Sequence, residues 1–382
     1  MARGRGPCDA PRMDRTRWGL IALLYATGLL SALQFGKVSL FLPALAERYP
    51  AAPFLVSAVA VLGILGGVLA GGIVAKVGAR RAILWAVAGS ALLSLAQVPL
   101  PGFAALMGLR LVEGAGHLAL VVALPTMMAA ESSERDRPVV MGLWGTFFGV
   151  GFALGALVPV PGPGAAFAAH GVGLAALLPP LWAMLPRTPG EAAPLPGPVA
   201  AHRAVWSSAR LIAPGVGHGI YTSLFIALLA FLPGILGAPW LAAWLPLANL
   251  SGTFLAGILA RRVEPGRLVT ASFAASAAGF ALLWVTRDPW VALATFFATG
   301  AIAGAGFAAV PWLNPAPGDR ARANGGMAQI GNVGTFAGTP LMAAALTLGG
   351  GWVIATALAI CLLGAGATAA VYRAARVSSR AA

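Results

Sequence analysis

Long apolar runs recur along the chain, separated by short polar breaks. They fall near 18–46, 53–74, 81–100, 103–130, 139–159 and 165–185, and then near 211–236, 239–260, 268–286, 289–313, 324–348 and 351–373. About 20 apolar residues carry an α-helix across the hydrocarbon core, so this pattern predicts an all-α membrane protein of twelve transmembrane helices. A membrane barrel would show short alternating strands, whereas these runs are continuous. The longest polar interruption, "RTPGEAAPLPGPVAAHRAVWSSAR" at 187–210, divides the runs six and six. The expected organisation is therefore a tail (1–17), a six-helix bundle (18–186), a linker (187–210), a second bundle (211–373) and a tail (374–382).

The two halves echo each other. "FLPAL" at 41–45 is answered by "FLPGI" at 231–235, "GIVAK" at 72–76 by "GILAR" at 257–261, and "GAG" at 114–116 by "GAG" at 304–306. Asp136, Arg137, Gly142, Gly151 and Gly155 match Asp319, Arg320, Gly325, Gly334 and Gly338 at a constant shift. Their shared order predicts two pseudo-symmetric bundles, an architecture that places a substrate site between repeats at mid-membrane.

Composition supports the membrane reading. Hydrophobic residues make up 59% of the chain and charged residues 9%, against roughly 45–50% and about 25% in soluble domains. The net charge of +14 is a topology signal, not a nucleic-acid footprint. Basic residues cluster in the amino tail (Arg3, Arg5, Arg12, Arg15, Arg17), after every even-numbered run and in the carboxyl tail, whereas the opposite loops hold only Arg48 and Arg287. Cytoplasmic loops carry the Lys/Arg excess, so both termini and the linker are expected in the cytoplasm. The membrane is then the cell (cytoplasmic or inner) membrane, with anionic headgroups as partners of the basic loops.

The first run is too long for a cleaved signal peptide and lacks a suitable cleavage site; Met13 is an alternative start to Met1. Cys8 and Cys361 lie at opposite ends of the chain and offer neither a metal spacing nor an evident disulfide. There is no phosphate-binding loop, nucleophile elbow or zinc-protease motif. The sequence therefore predicts no enzyme, no metal and no cofactor beyond a proton or ion gradient.

The loop after the second run reads "GGIVAKVGARRAIL" (71–84), with Gly71, Lys76, Gly78, Arg80 and Arg81, and a second copy keeps Arg261, Arg262 and Arg267. The fourth run has Arg110, then Glu113, Gly114 and Gly116. In these motifs, its twelve runs and its 6+6 split, the chain resembles the major facilitator superfamily of secondary transporters over residues 18–373. The resemblance implies a gating role for the loop residues, and helices 1, 4, 7 and 10 lining a cavity with helix 11 contributing. Three departures stand out. Ala75 occupies the acid position of the loop, Glu113 replaces the usual Gln, and "GVGFALGALVP" (149–159) lacks the Gly-Pro pair of drug–proton antiporters. Compact length and short loops are more similar to small-anion permeases of the cyanate-porter kind.

Charges deep in a membrane span face a cavity or a partner. Three lie deep here: Lys37, Arg110 and Glu113. Arg110, Glu113 and His117 share one helix face. One acid among two bases leaves a positive surplus suited to an anionic or zwitterionic ligand. Alternatively, Glu113 pairs with Arg110 or Lys37 and pins two helices together. Glu113 and His117 are the candidate proton carriers. Gln34, Tyr221, His218, Gln329 and Asn332 join Lys37 and Arg110 as candidate substrate contacts; Ser and Thr residues on the same runs are read as bonding back to their own helices.

The reading favoured by the residues is proton-coupled movement of a small organic anion or zwitterion by a monomer using alternating access. A second reading is proton-driven efflux of amphipathic compounds through a cavity lined by Phe35, Trp144, Phe225 and Trp312. A third is a transporter-like receptor or assembly protein that moves nothing.

Overall fold

The computed structural model describes residues 15–380 apart from 188, 193 and 194. Arg3, Arg5, Arg12, Cys8 and Met13 lie outside the described residues. The elements are α1 (Trp18–Ser39), α2 (Leu42–Arg48), α3 (Pro53–Val77), α4 (Ala79–Ala96), α5 (Phe103–Ala130), α6 (Arg137–Gly145), α7 (Phe147–Leu157), α8 (Pro163–Met184), α9 (Pro198–Trp206), α10 (Ala209–Ile235), α11 (Leu241–Leu259), α12 (Pro265–Thr286), α13 (Pro289–Leu313), α14 (Pro317–Thr347) and α15 (Gly350–Arg380). No strand occurs among the described residues. In lipid the backbone must satisfy its own hydrogen bonds, which a helix does residue by residue.

Ten helices among the described residues are long and apolar enough to cross a membrane, and α6 with α7 makes an eleventh span bent by 44°. The helix over the remaining run is α14, made less apolar by Asn324, Gln329, Asn332 and its glycines; it packs lengthwise between α10 and α3. The structure redraws three boundaries. The first run ends at Ser39, and α2 follows as a separate short helix. The linker contains a helix, α9. The last helix continues to Arg380, beyond residue 373.

Two large apolar cores hold the helices. One gathers α1 and α3 to α8 around residues such as Leu24, Val87, Leu124 and Trp144, and continues across the seams into α9, α10, α13 and α14 through Val205, Ile212, Phe307 and Met327. The other joins α10 to α15 around Leu228, Phe273, Phe280 and Phe296. The repeat is visible in detail. Arg137 donates to the carbonyls of Ala129 (2.9 Å) and Ser132 (3.3 Å), closing the α5–α6 turn. Its counterpart Arg320 donates to those of Asn314 (3.0 Å) and Pro315 (2.7 Å), closing the α13–α14 turn.

One end of the molecule gathers the start of α1, the α3–α4, α5–α6 and α11–α12 turns, the linker, the start of α14 and the end of α15. Arg17 reaches Glu131 (2.9 Å) and the Met184 carbonyl (3.1 Å), and Arg376 reaches Glu264 (2.6 Å). At this linker end the bundles interlock along two seams, α3–α14 and α6–α11. Glycines permit both. A Cβ on Gly67 would sit 2.7 Å from the Gly325 carbonyl, and one on Gly142 2.7 Å from the Gly257 Cα. The α3–α14 seam runs from Gly63, beside Asn332, to Gly71, beside Ala321 and Arg322. Towards the far end each bundle packs on itself: α7 leans on α1, and Gly334 and Gly338 of α14 meet α10 at Gly219 and Ser223.

Overpacking a close-packed contact costs about 1–3 kcal/mol. Gly142→Val is therefore expected to lower the thermal midpoint and loosen the linker end, read as faster modification of a cysteine placed at Thr253, whose methyl lies against Gly145.

Candidate functional site

Lys37 lies in the last turn of α1, where a cation suits the negative end of the helix dipole. Arg110 and Glu113 stand i, i+3 on α5 and so meet side by side. All three are buried, at 3%, 0% and 0% exposure. Glu113 Oε1 accepts from Lys37 Nζ at 2.5 Å, and Oε2 accepts from Arg110 Nη1 at 2.6 Å and Gln97 Nε2 at 3.0 Å. One carboxylate thus bridges two cations from neighbouring helices.

An ammonium has three N–H donors, and Lys37 has three partners: Glu113, Ser94 Oγ at 2.8 Å and His170 Nδ1 at 3.1 Å. His170 Nε2 lies 2.9 Å from the Leu30 carbonyl, which can only accept. Nε2 therefore carries the hydrogen, and Nδ1 presents a lone pair to Lys37. The ammonium also lies 5.1 Å from the Phe167 ring centroid. Lys37 is saturated. Arg110 is not: its Nε donates to the Leu55 carbonyl at 3.0 Å, but its buried Nη2 has no partner.

The cluster lies among α1, α4, α5 and α8 and the first turn of α3, inside the amino-terminal bundle. Gln34 joins its edge, donating to Ser90 Oγ at 3.0 Å while its buried Oε1 lacks a partner. His117 Nδ1 lies 3.1 Å from the Ser31 carbonyl and 3.0 Å from Ser31 Oγ, which places the hydrogen on Nδ1. Its ring meets Phe35 edge-on at 5.0 Å, and Phe35 meets Phe148 at 5.8 Å.

The carboxyl-terminal bundle holds a second polar group. Tyr221 donates to Asn249 Oδ1 at 2.8 Å, and Asn249 donates to Thr299 Oγ1 at 3.1 Å. His218 lies edge-on to Phe307 at 5.2 Å, and its buried Nδ1 has no partner. Phe307 also reaches the break in the fifth span, 3.2 Å from where a Gly145 Cβ would be. Phe225 stacks on Tyr221 at 5.5 Å. Trp144 is wholly buried and stacks on Phe147 at 4.2 Å, so it packs within the core, and Trp312 is half exposed.

Gln329 and Asn332 belong to the α3–α14 seam. Gln329 donates to the Ile64 carbonyl at 2.8 Å, and Asn332 donates to Ala328 of its own helix at 2.8 Å. The gating-loop residues all sit at the linker end. Gly78 has φ 85°, a conformation that a residue with a Cβ resists. Arg80 donates to the Trp182 carbonyl at 2.8 Å and stacks over that ring, and Lys76 donates to the Ala192 carbonyl at 3.1 Å. Arg81 and Arg262 are exposed. Arg267 pairs with Glu264 at 3.2 Å. Arg261 pairs with Asp136 at 2.8 Å across the α6–α11 seam. Asp136 is held below its ordinary value of 3.8, first by the Thr16 hydroxyl, with Ser133 and Arg261 adding to this against desolvation. A depressed carboxyl keeps its contribution above 3.8 and loses it as pH falls through its folded value; the bridge therefore stays charged at neutral pH.

Sequence reading passed over Ser94, Gln97 and the role of His170. His170 was visible as an ionisable group in an apolar run; the other two needed the packing of α4.

Two bundles of membrane-spanning helices, each with a polar group in its interior and meeting along glycine-packed seams, define a multi-pass membrane protein of the paired-bundle class. The sequence model described as Major Facilitator Superfamily matches residues 24–314, and the chain belongs to that family. Solved structures agree on the fold. The human organic anion transporter MFSD10 (TETRAN) is 19% identical, with a TM-score of 0.72 over 91% of this chain and 98% of its own. The E. coli fucose:proton symporter FucP is 15% identical, with a TM-score of 0.68 over 93% and 99%. The proton:xylose symporter XylE is 15% identical, with a TM-score of 0.70 over 91% and 94%. A search of curated proteins finds no match in sequence.

Proposed function

We propose that this chain is a proton-coupled secondary transporter of a small organic anion or zwitterion, working by alternating access in the cell membrane with both termini cytoplasmic. The observation that carries this reading is Glu113 held between Lys37 and Arg110 in a buried site. It is the one acid of the cluster, and so the group that takes a proton when an arriving anion competes for the two cations. When it takes a proton it gives up its claim on two cations, and the positive surplus then draws an anion. The unpartnered Arg110 Nη2 is the donor such a ligand meets first. Proton and anion therefore favour each other's binding. Three neighbours of the fold are described as an organic anion transporter or as proton symporters, which is consistent with this coupling.

The interlocked linker end and the self-packed far end support a state closed on the linker side. The basic loops favour the cytoplasm for that side. A reporter fused at the carboxyl end should behave as cytoplasmic and one inserted within 160–164 as external; the reverse pattern would overturn the orientation.

Aromatic rings favour a second reading. Phe35 meets His117 and Phe148 lies beyond Phe35, while Phe307 and Tyr221 flank His218 and Phe225 stacks on Tyr221, a set of rings suited to amphipathic compounds. Purified protein in liposomes separates the readings. Uptake of a small carboxylate driven by an imposed pH difference supports the first, uptake of only bulky apolar cations supports the second, and no transport of either rejects both.

A further inference from the structure

The two seams at the linker end are related by the internal repeat but are fastened differently. At the α6–α11 seam the fastening is direct: Arg261 of one bundle bonds Asp136 (2.8 Å) and the Arg135 carbonyl (3.1 Å) of the other. The repeat carries Arg261 onto Lys76 and Asp136 onto Asp319. At the α3–α14 seam that contains them, the linker is interposed. The Glu191 amide donates to the Ala75 carbonyl at 3.0 Å. Lys76 donates to the Ala192 carbonyl at 3.1 Å. The Glu191 carboxylate accepts from Arg322 Nη2, while Arg322 Nη1 reaches Asp319 at 3.2 Å.

Glu191 is the only acid in the linker 187–210. Its backbone is tied to α3 and its side chain to α14, so it joins the two bundles through one residue. The α3–α4 loop has Ala75 and no acid of its own at this point; the linker brings one to the same place. Beyond Glu191 the linker stays on the seam. Leu195 lies against Gly72, and α9 packs on α3, α10 and α14. There His202 Nε2 comes within 3.2 Å of Gln329 Nε2, which itself donates to the α3 backbone.

We propose that the linker is a strap and that Glu191 is its latch: by holding Arg322 it keeps the α3–α14 seam shut, and its release lets the linker end open. Glu191 and Arg322 side chains are about a third exposed, at 36% and 32%. A partly exposed pair of this kind shifts an equilibrium by only about two- to fivefold, which suits a contact broken and remade in every cycle. The consequence for transport rests on the alternating-access reading above. The latch itself does not, because it concerns only the distance between two helix ends.

The test is a spin-label distance measurement on the full chain, with labels at Arg81→Cys and Ala316→Cys after Cys8→Ser and Cys361→Ala. The parent should show mainly a short distance. Glu191→Arg, which sets two like charges face to face, should raise the longer-distance population at least about fivefold. Adding Arg322→Glu should return it towards the parent. Salt should widen the parent distribution more than that of Glu191→Gln, in which the Arg261–Asp136 pair is left to be screened at this end. If Glu191→Arg does not fold, Glu191→Gln is read the same way, with a two- to fivefold increase expected. An unaltered distribution in the variant read, or failure of the charge swap to restore it, overturns the latch. Opening without any effect of a pH difference on transport would instead retain the latch and reject the proton coupling.

Discussion

Glu113→Gln is expected to abolish accumulation driven by a pH difference while sparing counterflow exchange of substrate. Gln matches Glu in size, so α5 keeps its packing against α1. It cannot bind and release a proton, so the step that ties the gradient to the cations is lost. Exchange needs only alternating access with ligand bound, and a site with fixed protonation still permits it. The resemblance gives Gln as the usual residue here, and retained exchange is the control that the variant, though destabilised, is folded. Accumulation and exchange are measured in the same proteoliposome preparation. Continued uphill accumulation by the variant would remove Glu113 from the coupling and turn attention to His117, the remaining titratable side chain on that face of α5.

The same cluster orders three variants by stability. Removing one partner of a buried ion pair costs about 3–5 kcal/mol when it strands a charge. Glu113→Gln strands two cations and should be the most destabilised of the single variants. Lys37→Met leaves Arg110 and Glu113 as a neutral pair and should cost markedly less. The double variant Lys37→Met with Glu113→Gln leaves one stranded cation, so its loss should be smaller than the sum of the two single losses. Thermal midpoints in one detergent, taken with far-UV circular dichroism, give the order directly. Lys37→Met at least as damaging as Glu113→Gln would show that Lys37 matters through its bonds to Ser94 and His170 and not through the ion pair.

Much of the architecture was written in period and charge. Apolar runs gave the helices, and the repeat placed Arg137 opposite Arg320, which the structure shows capping equivalent turns. What local pattern could not show was the break at Gly145–Thr146, because both sides of it are equally apolar. Nor could it show α9, whose short helix is held by contacts with three distant elements. The charged cluster was half legible. Burial cost alone says that Lys37, Arg110 and Glu113 need partners, and the i, i+3 spacing gives one of them. That Lys37 reaches Glu113 depends on how α1 crosses α5, and its other partners come from α4 and α8. Gln329 and Asn332 were read as ligands from their polarity, yet polarity does not distinguish a cavity wall from a helix seam.

If the chain couples proton and anion as proposed, the position of the cluster constrains how energy passes through the molecule. Every partner of Glu113, Lys37 and Arg110 belongs to the amino-terminal bundle. A rotation of one rigid body against another leaves distances within each body unchanged. Rocking alone therefore cannot stretch the Lys37–Glu113 contact or alter the electrostatic work of charging that site. Two routes remain: the bundle itself deforms, with α1 sliding on α5, or water enters from one side and is expelled from the other, changing the polarisability around a fixed set of charges. In the second case the driving force is converted by wetting and drying, and the far end of α1 and α5, not the seam between bundles, is where the membrane's two aqueous phases are told apart.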